Sequence, residues 1–174
     1  RKEDGKLICG SSADNIPSEL SVSSIGDYAF FAAAGSTHVT VPESVAEIGE
    51  YAFSESPSLE SVVFLGEDVK LGNRAFYKCK NLTSVTLPGG LKEIPIGCFS
   101  SCNTLSKIRI PESVDFIGYM AFNSCDSLPE IELKGVKVIE YMAFTGCKSL
   151  EKVEFSDSLE HIGNCAFSSC EALR

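Results

Sequence analysis

A phenylalanine preceded by alanine or cysteine returns at Phe30, Phe53, Phe76, Phe99, Phe122, Phe144 and Phe167, at spacings of 23, 23, 23, 23, 22 and 23 residues. A fixed period of roughly 20–50 residues marks a chain built of stacked units, and it decides the architecture before any other pattern is read. The neighbours of each Phe repeat as well. Ile or Leu stands five residues before it (Ile25, Ile48, Leu71, Ile94, Ile117, Ile139, Ile162), usually followed by Gly (Gly26, Gly49, Gly72, Gly118, Gly163). Six residues after it comes Leu59, Leu82, Leu105, Leu128, Leu150 or Leu173, with Ser36 in the first copy.

Within a copy the periodicity changes. Ala75, Phe76, Cys79 and Leu82 fall at i, i+1, i+4 and i+7, one face of a short helical turn. Next come alternating apolar pairs, Val39/Val41, Val62/Phe64, Val85/Leu87, Ile108/Ile110, Ile131/Leu133 and Val153/Phe155, the period of a short strand with one buried face. Pro42, Pro88 and Pro111 end such strands, and a second apolar pair (Val45/Ile48, Leu91/Ile94, Val114/Ile117) returns the chain to the next Phe. No single coil can bury its own apolar edge, so the coils must stack. Parallel strands then lie about 4.8 Å apart and the Phe side chains form a ladder.

The run Leu105, Ile108, Ile110, Pro111, Val114, Ile117, Gly118, Ala121, Phe122 and Cys125 resembles the BspA-type leucine-rich repeat, and the likeness extends from about Val22 to the C-terminus. The resemblance implies an α/β repeat fold: a right-handed leucine-rich-repeat solenoid with a concave parallel β-sheet of short strands and short helical or 3-10 turns on the convex side. It also implies an extracellular or cell-surface setting, adhesion or protein binding, and no common enzymatic activity. The departures are a 22-residue copy near Lys134–Glu140, Ser36 in a Leu slot, and Pro95 and Glu140 where Gly is usual.

The whole chain, 1–174, reads as a single domain, with residues 1–21 as a degenerate capping coil and 22–174 as about seven repeats of 22–23 residues. Counting back one period from Phe30 reaches Leu7, and Ile16 then lands on the first strand position. At the other end the seventh unit stops at Leu173 and Arg174, before the strand that each earlier unit goes on to form, so more repeats or another molecule are expected to cover it.

Composition bounds the partners. With 15 Lys+Arg against 24 Asp+Glu the formal net charge is −9, which disfavours nucleic acid, whose affinity comes from clustered basic residues. No apolar run approaches the roughly 18 residues that would insert across a membrane. Five of the eight cysteines (Cys79, Cys102, Cys125, Cys147, Cys170) stand three residues after their Phe, where Ala33 and Ser56 stand in earlier copies. Reduced structural thiols are expected there, ahead of inter-coil disulfides or a metal site. Cys98 takes an Ala slot inside, while Cys165 lies more openly. No metal or other cofactor is expected. Nor is an enzyme: His38 falls in a strand and His161 on a return segment, too far apart to converge in a triad.

Binding is therefore sought on the outward strand positions: His38, Thr40, Ser61, Val63, Ser84, Thr86, Lys107, Arg109, Glu130, Glu132, Lys152 and Glu154. In parallel register Lys107 should abut Glu130 and Arg109 should abut Glu132, as cross-strand ion pairs. The expected partner is a protein, including a host or matrix surface protein, or a glycan. A second candidate face carries Tyr28, Tyr51, Tyr119, Met120, Tyr141 and Met142. The competing expectation is a structural spacer that carries other domains and binds nothing.

Overall fold

In the computed structural model, residues 22–174 and the short strand residues 2–3 and 6–7 are described. Each period contributes two strands. The longer ones follow the Phe: β4 (His38–Val41), β6 (Ser61–Phe64), β8 (Ser84–Thr86), β10 (Lys107–Arg109), β12 (Glu130–Leu133) and β14 (Lys152–Phe155). The two-residue ones carry the Ile that precedes it: β3 (Ser24–Ile25), β5 (Glu47–Ile48), β7 (Lys70–Leu71), β9 (Glu93–Ile94), β11 (Phe116–Ile117), β13 (Val138–Ile139) and β15 (His161–Ile162). Both sets pair in parallel, coil on coil, so the return segments form a second sheet that the apolar pattern alone had left as plain return chain.

The core is the stacked set of repeat positions. Phe53, Phe76, Phe99, Phe122 and Phe144 are buried completely or nearly so. The Phe rings stack nearly parallel, with centroids 5.1 Å apart from Phe30 to Phe53, 5.3 Å from Phe53 to Phe76 and 5.4 Å from Phe76 to Phe99.

The helical turns expected around each Phe are not found; no helix occurs among the described residues. Two residues per coil adopt positive φ, one column running through Tyr28, Tyr51, Arg74, Met120, Met142 and Cys165 and the other through Ala32, Glu55, Lys78, Ser101, Ser124 and Ser169. A right-handed helix cannot pass through them. Their effect is to divide the amides. Ala52 N–H and Ser54 N–H close turns within the coil on Gly49 O (3.3 Å) and Tyr51 O (3.0 Å), while Phe53 N–H donates to Ala75 O of the next coil at 2.8 Å. A helix would spend the amides beyond its first turn internally instead of alternating them between the coil and its neighbour.

Two prolines interrupt the sheets. The amide after each Ile normally donates to the preceding coil, as Gly49 does to Ile25 O (2.8 Å) and Gly118 to Ile94 O (2.8 Å). Pro95 has no N–H to give Leu71 O, and the second sheet divides there, into β3-β5-β7 and β9-β11-β13-β15. Likewise Thr83 N–H donates to Glu60 O (2.8 Å) and Ser106 N–H to Thr83 O (3.1 Å), but Pro129 cannot donate to Ser106 O. The first sheet divides between β10 and β12. Pro95, noticed in the sequence only as a departure from Gly, thus has a defined consequence.

Some glycines stand where neighbouring coils leave no room for a side chain. A Cβ on Gly72 would lie 2.5 Å from the backbone carbon of Gly49, and one on Gly135, in the shortened copy, would lie 1.9 Å from Glu112 O.

At the N-terminal side, β1 (Lys2–Glu3) pairs antiparallel with β2 (Lys6–Leu7), and β2 extends the second sheet beside β3. Leu7 lies opposite Ile25 and so occupies the Ile slot, not the Phe slot that counting back one period assigned to it. The rest of the 1–21 capping coil, Ile16 included, lies outside the described residues. On the last coil Phe155, Ile162 and Leu173 are exposed.

Candidate binding faces

The twelve outward strand residues do share a side of the coils, but on two sheets. His38 and Thr40, Ser61 and Val63, Ser84 and Thr86, and Lys107 and Arg109 lie in register on β4, β6, β8 and β10. Glu130 and Glu132 lie beside Lys152 and Glu154 on β12 and β14. The alternation of the strand itself produces this, since Val39, Val62, Val85 and Ile131 turn inward and are buried. The first group is uncharged over three strands, and His38 Nδ1 and Ser61 Oγ share a hydrogen bond of 2.8 Å across neighbouring coils.

The charged group is wired differently from the cross-strand expectation. Among the described residues no ion pair joins Lys107 to Glu130 or Arg109 to Glu132; the pairs run along single strands, Lys134 to Glu132 at 2.7 Å and Lys152 to Glu154. The reason is Pro129: without ladder bonds β12 does not seat against β10 in register. Lys134, hydrogen-bonded to Glu132, holds that carboxyl below its usual range, and the Lys134 and Lys152 ammonium groups are raised by Glu132 and Glu154. Lys107 and Arg109 are thereby left exposed beside a shallow groove of about 380 Å³ lined by Ile108, Arg109, Glu130, Ile131, Glu132 and Lys134.

On the turn side, Tyr28 stacks on Tyr51 (centroids 5.0 Å) and Tyr119 on Tyr141 (5.8 Å). Arg74 lies 5.7 Å from the Tyr51 ring centroid. Met120 and Met142 share the positive-φ column with Tyr28 and Tyr51.

The cysteine column has a role beyond size. Sγ of Cys79, Cys102, Cys125, Cys147 and Cys170 each donates to the carbonyl of the Phe of the preceding coil (Phe53, Phe76, Phe99, Phe122, Phe144) at 3.1–3.2 Å. Ser56 Oγ makes the same bond to Phe30 O at 3.0 Å, so the slot selects a small donor. Burial pushes the Cys79 thiol up to about 12 and raises Cys98, Cys102 and Cys125 as well. Cys98 is fully buried and Cys165 exposed.

His38 and His161 stand on different sheets. Among the described residues no group of three or more His, Cys, Asp or Glu side chains is placed to hold a metal ion, and no helix is long and apolar enough to cross a membrane.

Two-stranded coils of 22–23 residues, a stacked Phe column and two sets of parallel strands, each divided at a proline, define a leucine-rich-repeat solenoid. The BspA type leucine rich repeat region matches residues 8–129 and 117–174, in six copies, and the chain belongs to that family. Several solved structures resemble it, among them the following. A leucine-rich repeat protein from Bacteroides ovatus shares 34% identity with a TM-score of 0.82, over 88% of this chain and 39% of that one. The Treponema pallidum leucine rich repeat protein shares 29% identity with a TM-score of 0.82, over 97% of this chain and 78% of that one. A leucine rich cell surface protein from Faecalibacterium prausnitzii shares 35% identity with a TM-score of 0.78, over 88% and 42%. The chain thus spans less than half of two of these relatives. No curated protein sequence matches it.

Proposed function

We propose that the chain is a non-enzymatic binding module, displayed outside the cell, that engages a protein or glycan through the outward residues of β4 to β14. The observation that carries this reading is the separation of duties on those strands: inward residues are buried in a continuous core, while the outward ones are free to vary in chemistry without touching it. That arrangement gives a polar hydroxyl-bearing surface next to two exposed cations, Lys107 and Arg109, which a partner's carboxylates or a glycan's acidic groups can meet. The Faecalibacterium relative, described as a cell surface protein, supports the outside setting.

The test is capture of purified matrix and host cell-surface proteins, and of a glycan array, on immobilised protein. The double variant Lys107→Glu with Arg109→Glu is expected to lose the captured partner and keep the wild-type melting temperature. No partner in either screen, with the same substitutions tolerated, would favour the spacer reading instead.

A further inference from the structure

A further groove is not on that face. It lies on the second sheet, about 560 Å³, along β5, β7 and β9, where Pro95 interrupts the ladder. Its lining includes Asp27, Glu47, Glu50, Asp68 and Glu93 against only Lys70 and Lys92. None of these seven groups belongs to an ion pair among the described residues. Asp27 Oδ1 accepts the Glu50 N–H at 2.9 Å and Glu50 Oε1 accepts from Asn73 at 3.0 Å, which fixes two of the carboxylates at the groove's edge. Leu71 lines the same groove, with the carbonyl that Pro95, lacking an N–H, cannot serve. The site therefore presents a surplus of acceptors and negative charge along an opened strand edge.

We propose that this groove is a second docking site, taking an extended segment of a partner protein that carries lysine or arginine side chains. Ammonium and guanidinium groups have only donors to offer, which is what carboxylates require. Charge complementarity selects this occupant: five carboxylates against two ammonium groups repel an acidic segment and attract a basic one. The site is on the other sheet from the β4–β14 face and does not depend on that face's role.

The probe is an acetylated, amidated octapeptide alternating lysine and threonine, with its glutamate–threonine counterpart as control, titrated calorimetrically at low and physiological salt. The lysine peptide is expected to bind, more weakly at higher salt, and the glutamate peptide not to bind. Glu47→Lys with Glu93→Lys, both exposed positions, should weaken binding by about tenfold or more. Glu151→Lys with Glu171→Lys makes the same change in net charge elsewhere on the exposed surface and should leave binding close to wild type. Pro95→Gly restores the N–H found in most other coils, so it should knit β7 to β9 and weaken binding with every charge retained. Absence of binding, equal loss in the two charge-reversed proteins, or unchanged affinity in folded Pro95→Gly would each overturn the proposal. Lys107→Glu with Arg109→Glu should leave this titration unchanged, which keeps the two faces separately testable.

Discussion

The thiol column shows how a single residue slot couples packing to pH. A thiol raised by burial keeps its proton more tightly in the folded chain than in the unfolded one. Its contribution to stability is whole below the unfolded value near 9 and is lost as pH climbs toward the folded value, about 12 for Cys79. Each such thiol adds up to about 1.4 kcal/mol of destabilisation per pH unit in that window. Thermal unfolding should therefore show a steep drop in melting temperature between pH 8.5 and 10.5, by order-of-magnitude reckoning from those values. The drop should become shallower in Cys79→Ser with Cys125→Ser, which retain a donor for Phe53 O and Phe99 O. Equal pH dependence in the two proteins would contradict the assignment.

Backbone strain is the second residue-scale quantity. Ser101 has φ 62, and its slot is filled by glycine in the copy that holds Gly146 (φ 77). A left-handed non-glycine residue costs about 1–2 kcal/mol, and glycine gives back roughly half of that gain through its freer unfolded chain. Ser101→Gly should raise stability by about 0.5–1 kcal/mol in denaturant titration, whereas a loss would show that the Ser101 side chain contributes more than its strain costs.

Elements here are held by two separate devices, stacked side chains and inter-coil amide bonds. Phe76 tests the first. It is fully buried between Phe53 and Phe99, so Phe76→Ala should cost about 3–5 kcal/mol. Pro129 tests the second. Pro129→Ser supplies the N–H that Thr83 and Ser106 use in their own coils, and should close the gap between β10 and β12. A gain of about 0.5–1.5 kcal/mol is expected, together with slowed amide exchange at Glu130. No change in exchange would mean that another cause keeps these strands apart.

What could be read from the sequence follows the same division. Side-chain periodicity revealed the Phe ladder, the inward strand residues and the outward face, because burial leaves its mark on residue type. The turn ribbon was misread as helical because its apolar spacing matches one face of a helix, and nothing in Tyr28, Arg74 or Lys78 announces a positive φ. The broken ladders were within reach, since Pro95 and Pro129 visibly lack a donor; their effect needed the register of neighbouring coils. The absent Lys107–Glu130 pair follows from the same omission, as does the groove beside Glu47 and Glu93.

At the scale of the whole molecule, the inward side of each strand carries stability, and the function proposed above assigns recognition to the strand exteriors. That separation is the central claim, and a paired substitution set measures it directly. Outward changes (Thr86→Arg, and Lys107→Glu with Arg109→Glu) and inward ones (Val85→Ala, Ile110→Ala) are compared by melting temperature and by capture of the partner found in the screen above. The inward pair should lose about 1–3 kcal/mol each, as buried side chains do on truncation, and still capture the partner while folded. The outward set should melt like wild type and fail to capture. Outward substitutions that unfold the coils as the inward ones do, or that leave capture intact, would contradict the account.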